Sequence, residues 1–205
     1  MTRTTFPPSI KSRPVYAALQ PALGSHHLMI ADGEGAGAVL DLLGAVPDRA
    51  ALLATAHIIY APGPNGTDQA ADLRALGAAQ FYRAPTIAAM LPRIARVLLD
   101  AHMGAQFYLA GTEGLIGLAE REIMNTGFPH SAIQKEHRGS TVRRVQCVHC
   151  KGITENVRTD PFMCSHCGLN LFVRDHYSRR IAAFQGVNID AEDPGQVPPA
   201  VERFT

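Results

Sequence analysis

The chain holds four cysteines in two pairs, Cys147-Val148-His149-Cys150 and Cys164-Ser165-His166-Cys167. Each pair has two residues between its members, and 13 residues separate Cys150 from Cys164. Two such hairpins can bring four thiolates to the corners of one tetrahedron around a divalent ion, at about 2.3 Å per sulfur. The gap falls just below the usual zinc-ribbon window, but two tight knuckles span it. The expectation is a single metal held by Cys147, Cys150, Cys164 and Cys167. Four thiolates suit both zinc and mononuclear iron, so ligand type leaves the ion open, with zinc favoured. Closed zinc sites are structural, whereas iron in the same cage carries one electron. Neither leaves a coordination position for substrate. His149 and His166 lie inside the knuckles and read as spectators, because the cysteines already complete the tetrahedron.

Two disulfides in a secreted domain are the competing reading of these cysteines. Met1–Gln20 is polar and proline-containing rather than apolar, unlike a secretory leader. A reducing, cytoplasmic compartment is therefore the expectation, and there paired CxxC motifs bind metal. The tetrathiolate site would carry a net charge of about −2. Arg143, Arg144, Lys151 and Arg174 are placed to offset it or are simply solvated.

Knuckles this small need a scaffold. In 205 residues there is room for one or two domains, and a hydrophobic content of 46% is enough to bury a core. Nineteen Lys and Arg against 18 Asp and Glu leave a net charge of +1, so nothing pulls the chain globally toward nucleic acid or an anionic membrane. No apolar run approaches the roughly 18 to 20 residues of a membrane span.

Upstream of the cysteines, four apolar runs recur: Leu28–Ala31, Ile58–Tyr60, Gln80–Tyr82 and Gln106–Leu109. None alternates with polar residues, which implies strands covered on both faces. Helical spacing fills the gaps. Val39, Leu40 and Leu43 share a face. Thr67 is a candidate cap for a helix carrying Ala70, Leu73 and Leu76. Thr86 is a candidate cap for the next, with Pro92 starting a fresh turn. The last runs from about Glu113 and stops at Gly127. The fold class expected is α/β, a doubly wound parallel sheet followed by a small four-cysteine module of the zinc-ribbon or rubredoxin-like kind. In such sheets ligands sit at the carboxyl ends of the strands. Two glycine-bearing loops lie there, Asp32–Gly37 and Ala110–Gly114. Gly33, Gly35, Gly111 and Thr112 are thus candidates to hold a pyrophosphate, although glycines also serve plain turns.

These stretches resemble a family. Leu28–Leu43 is similar to the opening strand, loop and helix of the nucleotide-binding half of ferredoxin reductase-like flavoproteins. Phe107–Gly114 resembles that family's Y-x-C-G-P-x-x-M signature, and Gly127-Phe128-Pro129 with Ile133 and Glu136 resembles its G-x-P-x-x-x-I-x-x-E ending. The departures are specific: Ala110 stands at the cysteine, Thr112 at the proline, and Asp32 and Glu34 put carboxylates in the phosphate loop. A carboxylate 4 Å from a phosphate costs about 1 kcal/mol in water and about 4 at an effective dielectric of 20. A retained fold with a lost or altered nucleotide site is the reading these departures favour.

Beyond the cysteines, Val173–Gly186 is dense in residues that pair and stack, and reads as a docking surface. Met1–Gln20 and the stretch from Asp190 to Thr205 read as loose arms suited to wrapping onto partners. Four segments are expected: an extended arm over 1–23, the α/β domain over 24–140, the metal module and docking segment over 141–186, and an extended tail over 187–205. The knuckles, Val173–Gly186 and Asp190–Gly195 together resemble the small accessory subunit of bacterial dimethylamine monooxygenase. That resemblance implies a structural or electron-relay subunit of a complex that uses NADPH and O2 to convert dimethylamine to methylamine and formaldehyde. It places the haem on a catalytic partner, and the flavin and iron–sulfur cluster on a reductase partner. Two alternatives stay open. One is the NAD(P)H-binding component of a split flavin reductase. The other is a zinc-ribbon nucleic-acid-binding protein, supported only by the basic stretch Lys135, His137, Arg138, Arg143, Arg144.

Overall fold

A computed structural model describes residues 12–63 and 66–205. They form two compact units: Tyr16–Thr141, and Val142–Thr205 together with the residues preceding Tyr16. Positions 1–11 of the expected N-terminal arm lie outside the described residues.

The first unit alternates strand and helix: β1 (His26–Asp32), α1 (Gly35–Ala45), α2 (Arg49–Ala54), β2 (Ala56–Ala61), α3 (Ala70–Ala75), β3 (Gln80–Arg83), α4 (Ile87–Leu99), β4 (Ala105–Gly111), α5 (Glu113–Asn125), β5 (Ile133–His137). All five strands are parallel, in the order β3-β2-β1-β4-β5. The doubly wound sheet expected from the sequence is present. Its central strands are buried on both faces because successive side chains point to opposite sides. Met29, Ala31, Ile58, Tyr60, Tyr108 and Ala110 enter one core with α1, α2 and α3. Leu28, Ile30, Ile59, Ala61, Phe107 and Leu109 enter the other with α4 and α5. Each fully buried Ile or Leu contributes about 2 kcal/mol.

Several local expectations are corrected. Thr67 does not cap α3: Gln69 stands at the cap, and the Asp68 carboxylate accepts from Ala70 N–H at 3.0 Å. Pro92 starts no new turn. It sits inside the continuous α4, where it forfeits one backbone hydrogen bond. Tyr16–Gln20 is not a loose arm. Ala17 N–H donates to Lys135 O at 2.9 Å, Leu19 N–H to the Glu136 carboxylate at 2.8 Å, and Gln20 pairs with the Gln134 amide. The arm thus covers the outer edge of β5, which would otherwise expose unpaired backbone groups.

In the second unit, β6 (Arg143–Cys147), β7 (Ile153–Val157), β9 (Phe162–Met163), β10 (Asn170–Ser178) and β11 (Ala183–Asn188) form one sheet in the order β7-β6-β11-β10-β9; β8 (Thr159–Asp160) pairs with β12 (Val201–Glu202). Its core gathers Val145, Val157, Leu171, Val173, Tyr177, Phe184 and Phe204 around two of the cysteines. The stretch read as a docking surface is the β10–β11 hairpin, and its aromatic residues face inward. Tyr177 and Phe184 are 8% and 2% exposed and pack edge to face at 5.0 Å. Nor is the end of the tail loose. Val201–Glu202 pairs antiparallel with β8, Arg203 forms a 2.6 Å ion pair with the buried Asp160, and Phe204 is buried.

Candidate functional site

The cysteine pairs sit on two knuckles of matching construction. Cys147 ends β6 and Cys164 follows β9. In the first knuckle Lys151 N–H donates to Cys147 O at 3.0 Å, and Cys147 N–H donates to Gly152 O at 2.9 Å. The second repeats this with Gly168 N–H to Cys164 O at 3.0 Å and Cys164 N–H to Leu169 O at 2.9 Å. Residues 151 and 168 occupy the same position and both take the left-handed conformation, with φ of 64° and 74°. Gly168 does so freely, whereas Lys151 carries a penalty of about 1 kcal/mol. Its ammonium turns back to donate to Val148 O at 2.6 Å.

All four sulfurs lie within 4.8 Å of one another. Cys147 Sγ and Cys167 Sγ are 3.8 Å apart, as are Cys150 Sγ and Cys164 Sγ. A regular tetrahedron of ligands about 2.3 Å from its centre has edges of about 3.8 Å. The four cysteines are therefore positioned to bind a metal ion. Cys147 and Cys164 point into the core, while Cys150 and Cys167 lie at the surface. Backbone N–H groups point at the sulfurs, but the surroundings act on them in opposite directions. Gly152 N–H donates to Cys150 Sγ at 3.4 Å. Burial pushes the Cys164 thiol up, but the N–H groups of Cys167 and His166 outweigh it and draw its pKa down to about 6. Cys167 goes the other way, to about 12: the Leu169 N–H lowers it, but burial and the three neighbouring sulfurs raise it. A cation at the centre removes that repulsion. His166 Nε2 is engaged with Ile153 O at 2.9 Å.

The cations expected near the sulfurs have other partners. Arg143 is buried between the rings of Phe184 and Phe204, 3.9 and 4.4 Å from their centroids, with Asp175 at 3.0 Å. Arg144 pairs with Glu155 and donates to the carbonyls of Ile181 and Ala182. Lys135 pairs with the buried Glu120 at 2.8 Å, and Arg138 with Glu136 and Asp41. Lys135, Arg138, Arg143 and Arg144 of the basic stretch weighed as a nucleic-acid contact thus pair with carboxylates of this chain.

At the carboxyl ends of β1 and β4 the candidate nucleotide residues come together. The Asp32 carboxylate accepts from Thr112 N–H and from Thr112 Oγ1, both at 2.8 Å. Thr112 caps α5, its hydroxyl accepting from Leu115 N–H at 3.4 Å. Asp32 is 1% exposed, and burial raises its pKa against the lowering effect of these hydrogen bonds. A Cβ at Gly111 would collide with the Asp32 side chain, and one at Gly35 with the backbone of Ala110. Sequence reasoning flagged Asp32 as a repulsive carboxylate and missed its partner; the signal was a threonine at the head of α5.

A doubly wound α/β unit and a four-cysteine ribbon on one chain define a two-domain protein that unites a Rossmann-type sheet with a metal-knuckle module. The chain belongs to the dimethylamine monooxygenase subunit DmmA-like family: the N-terminal domain of that family matches residues 8–133 and its C-terminal domain residues 144–187. A curated relative, the heme-dependent oxidative N-demethylase delta subunit of Ectopseudomonas mendocina (strain ymp), is 30% identical over 112 residues, 55% of this chain. The match spans 64% of that relative's length. Solved structures with some likeness include phthalate dioxygenase reductase, at 16% identity and a TM-score of 0.41 over 71% of this chain and 46% of that one. Full-length CYP116B46 from Tepidiphilus thermophilus gives 14% identity and a TM-score of 0.41 over 66% and 19%. Among the described residues no helix is long and apolar enough to cross a membrane.

Proposed function

We propose that this chain is the accessory subunit of a multi-subunit, haem-dependent N-demethylating oxygenase. The observation that carries the reading is the presence of both family domains, in order, on a chain whose four cysteines stand at tetrahedral spacing. The reaction of the assembly is the oxidation of dimethylamine by O2, NADPH and a proton to methylamine, formaldehyde, water and NADP+. Haem is held by a catalytic partner, and flavin and an iron–sulfur cluster by a reductase partner. No residue of this chain is assigned a catalytic role, and the complex is assigned to the cytoplasm.

Cys147, Cys150, Cys164 and Cys167 would hold one ion, with zinc the proposed occupant. What the ion supplies is closure of the second unit: it ties the β6–β7 and β9–β10 turns together. The paired knuckle hydrogen bonds of this chain set the spacing of the sulfurs.

Reconstitution tests the reading. Haem and reductase subunits are assayed for dimethylamine-dependent formaldehyde with and without this chain. Omission is expected to lower the yield at least about tenfold, or about 1.4 kcal/mol in transition-state terms. Equal yields without the chain would refute an accessory role.

A further inference from the structure

The crevice between β1 and β4 lies at the topological switch point, where doubly wound sheets take an anionic ligand. Such a ligand needs unpaired N–H groups, room and positive charge. Here several of the donors are already used within the chain. Gly33 N–H donates to Ala61 O at 3.0 Å, Ala36 N–H to Gly33 O at 3.3 Å, and Gly37 N–H to Glu34 O at 3.1 Å. At the second helix, Thr112 N–H and the Thr112 hydroxyl both go to Asp32.

The glycines are spent as well. A Cβ at Gly33 would lie 2.8 Å from Gly63 Cα, the one at Gly35 would meet Ala110, and the one at Gly111 would meet Asp32. Each glycine is thereby explained by the close approach of another part of this chain, with no ligand required. Among the described residues the enclosed part of the crevice is about 10 Å³, the size of a single water. Among the described residues lining it the cation is Arg138, held by Glu136 at 2.7 Å and by Asp41 at 2.6 Å, while Asp32 and Glu34 contribute negative charge.

From this geometry we infer that the Asp32 carboxylate is a built-in anion occupying the head of α5, and that the crevice takes no dinucleotide. Asp32 links the end of β1 to α5 across the switch point, in the place a phosphate would fill. The residues present do not fit the nucleotide that the fold type implies. This inference does not depend on the partners proposed above.

The test uses the full chain loaded with zinc. Titration calorimetry with NADPH and with NADH is expected to show no saturable binding up to about 1 mM. Asp32→Ala is expected to lower Tm by about 5 °C. Sodium formate, at the ionic strength of a sodium chloride control, is expected to restore part of that loss in Asp32→Ala and to leave the wild-type Tm unchanged. Asp32→Asn keeps an acceptor for Thr112 N–H, so it is expected to fold and still to bind no NADPH, and it serves if Asp32→Ala fails to fold. Submillimolar binding of NADPH to the wild type or to Asp32→Asn would overturn the closed crevice. Wild-type stability of Asp32→Ala, or the same response to formate as to chloride, would overturn the built-in anion.

Discussion

Cys147 and Cys164 face the core and Cys150 and Cys167 the surface, so the loss of any one opens the cage from a different side. Cys147→Ser is expected to reduce the metal content from one ion per chain to a small fraction. Structural zinc contributes about 10–16 kcal/mol in small zinc-binding peptides, far more than the second unit can replace. Elemental analysis of the purified variant reads this directly. A second residue-scale prediction concerns His57, buried at the start of β2 with Nε2 lacking a hydrogen-bond partner among the described residues. Burial, and then the Arg93 guanidinium, pushes its pKa down to about 4 from an ordinary 6.5. Between those values the unfolded chain binds more protons than the folded one, so stability rises with pH. The contribution of His57 is complete above about pH 6.5 and is lost as pH falls toward 4. After allowance for solvent screening it amounts to about 1–2 kcal/mol. His57→Leu is expected to lose less Tm than the wild type between pH 7 and 4.5, measured by circular dichroism.

The elements show which signals a sequence carries openly. The strands β1, β2 and β4 were legible because burial on both faces leaves a continuous apolar run, and α5 because Leu115, Ala119 and Ile123 keep helical spacing up to the stop at Gly127. The edge strand β5, Ile-Gln-Lys-Glu-His, was not legible as a strand. Its polar residues are used for pairing with Tyr16–Gln20, a long-range contact that no local pattern announces. Helix α2 spans six residues and its Asp48 cap passed unnoticed. The tail was misread for a similar reason. Its prolines and carboxylates look like disorder, yet Phe204 reaches a core position and stacks on Arg143. Phe204→Ala is expected to cost about 3 kcal/mol or more, combining lost burial with a lost cation–π contact. Denaturant unfolding followed by a probe in the second unit checks the value. No change on truncation at residue 200 would contradict the packing of the tail.

On the scale of the whole molecule, the chain joins two units with different sources of stability. The α/β unit has two apolar cores, one on each face of its sheet. The second unit has one smaller core whose members include Cys147 and Cys164. Chelation is therefore expected to melt 142–205 while the α/β unit stays folded, leaving the transition of the α/β unit alone. Hydrogen exchange read by mass spectrometry, with and without chelator, would locate the loss. On the proposed reading, the closed crevice and a cage closed by four cysteines leave the surfaces of the chain, and not a pocket, to meet the oxygenase.

Association with the larger subunits is the property on which the proposed role turns. Native mass spectrometry of the co-expressed chain, haem subunit and reductase subunit tests it most directly. The expected result is one assembly containing all three, with one metal ion on this chain. A metal-loaded, folded chain that appears only as a free monomer beside an intact pair of partners would contradict it.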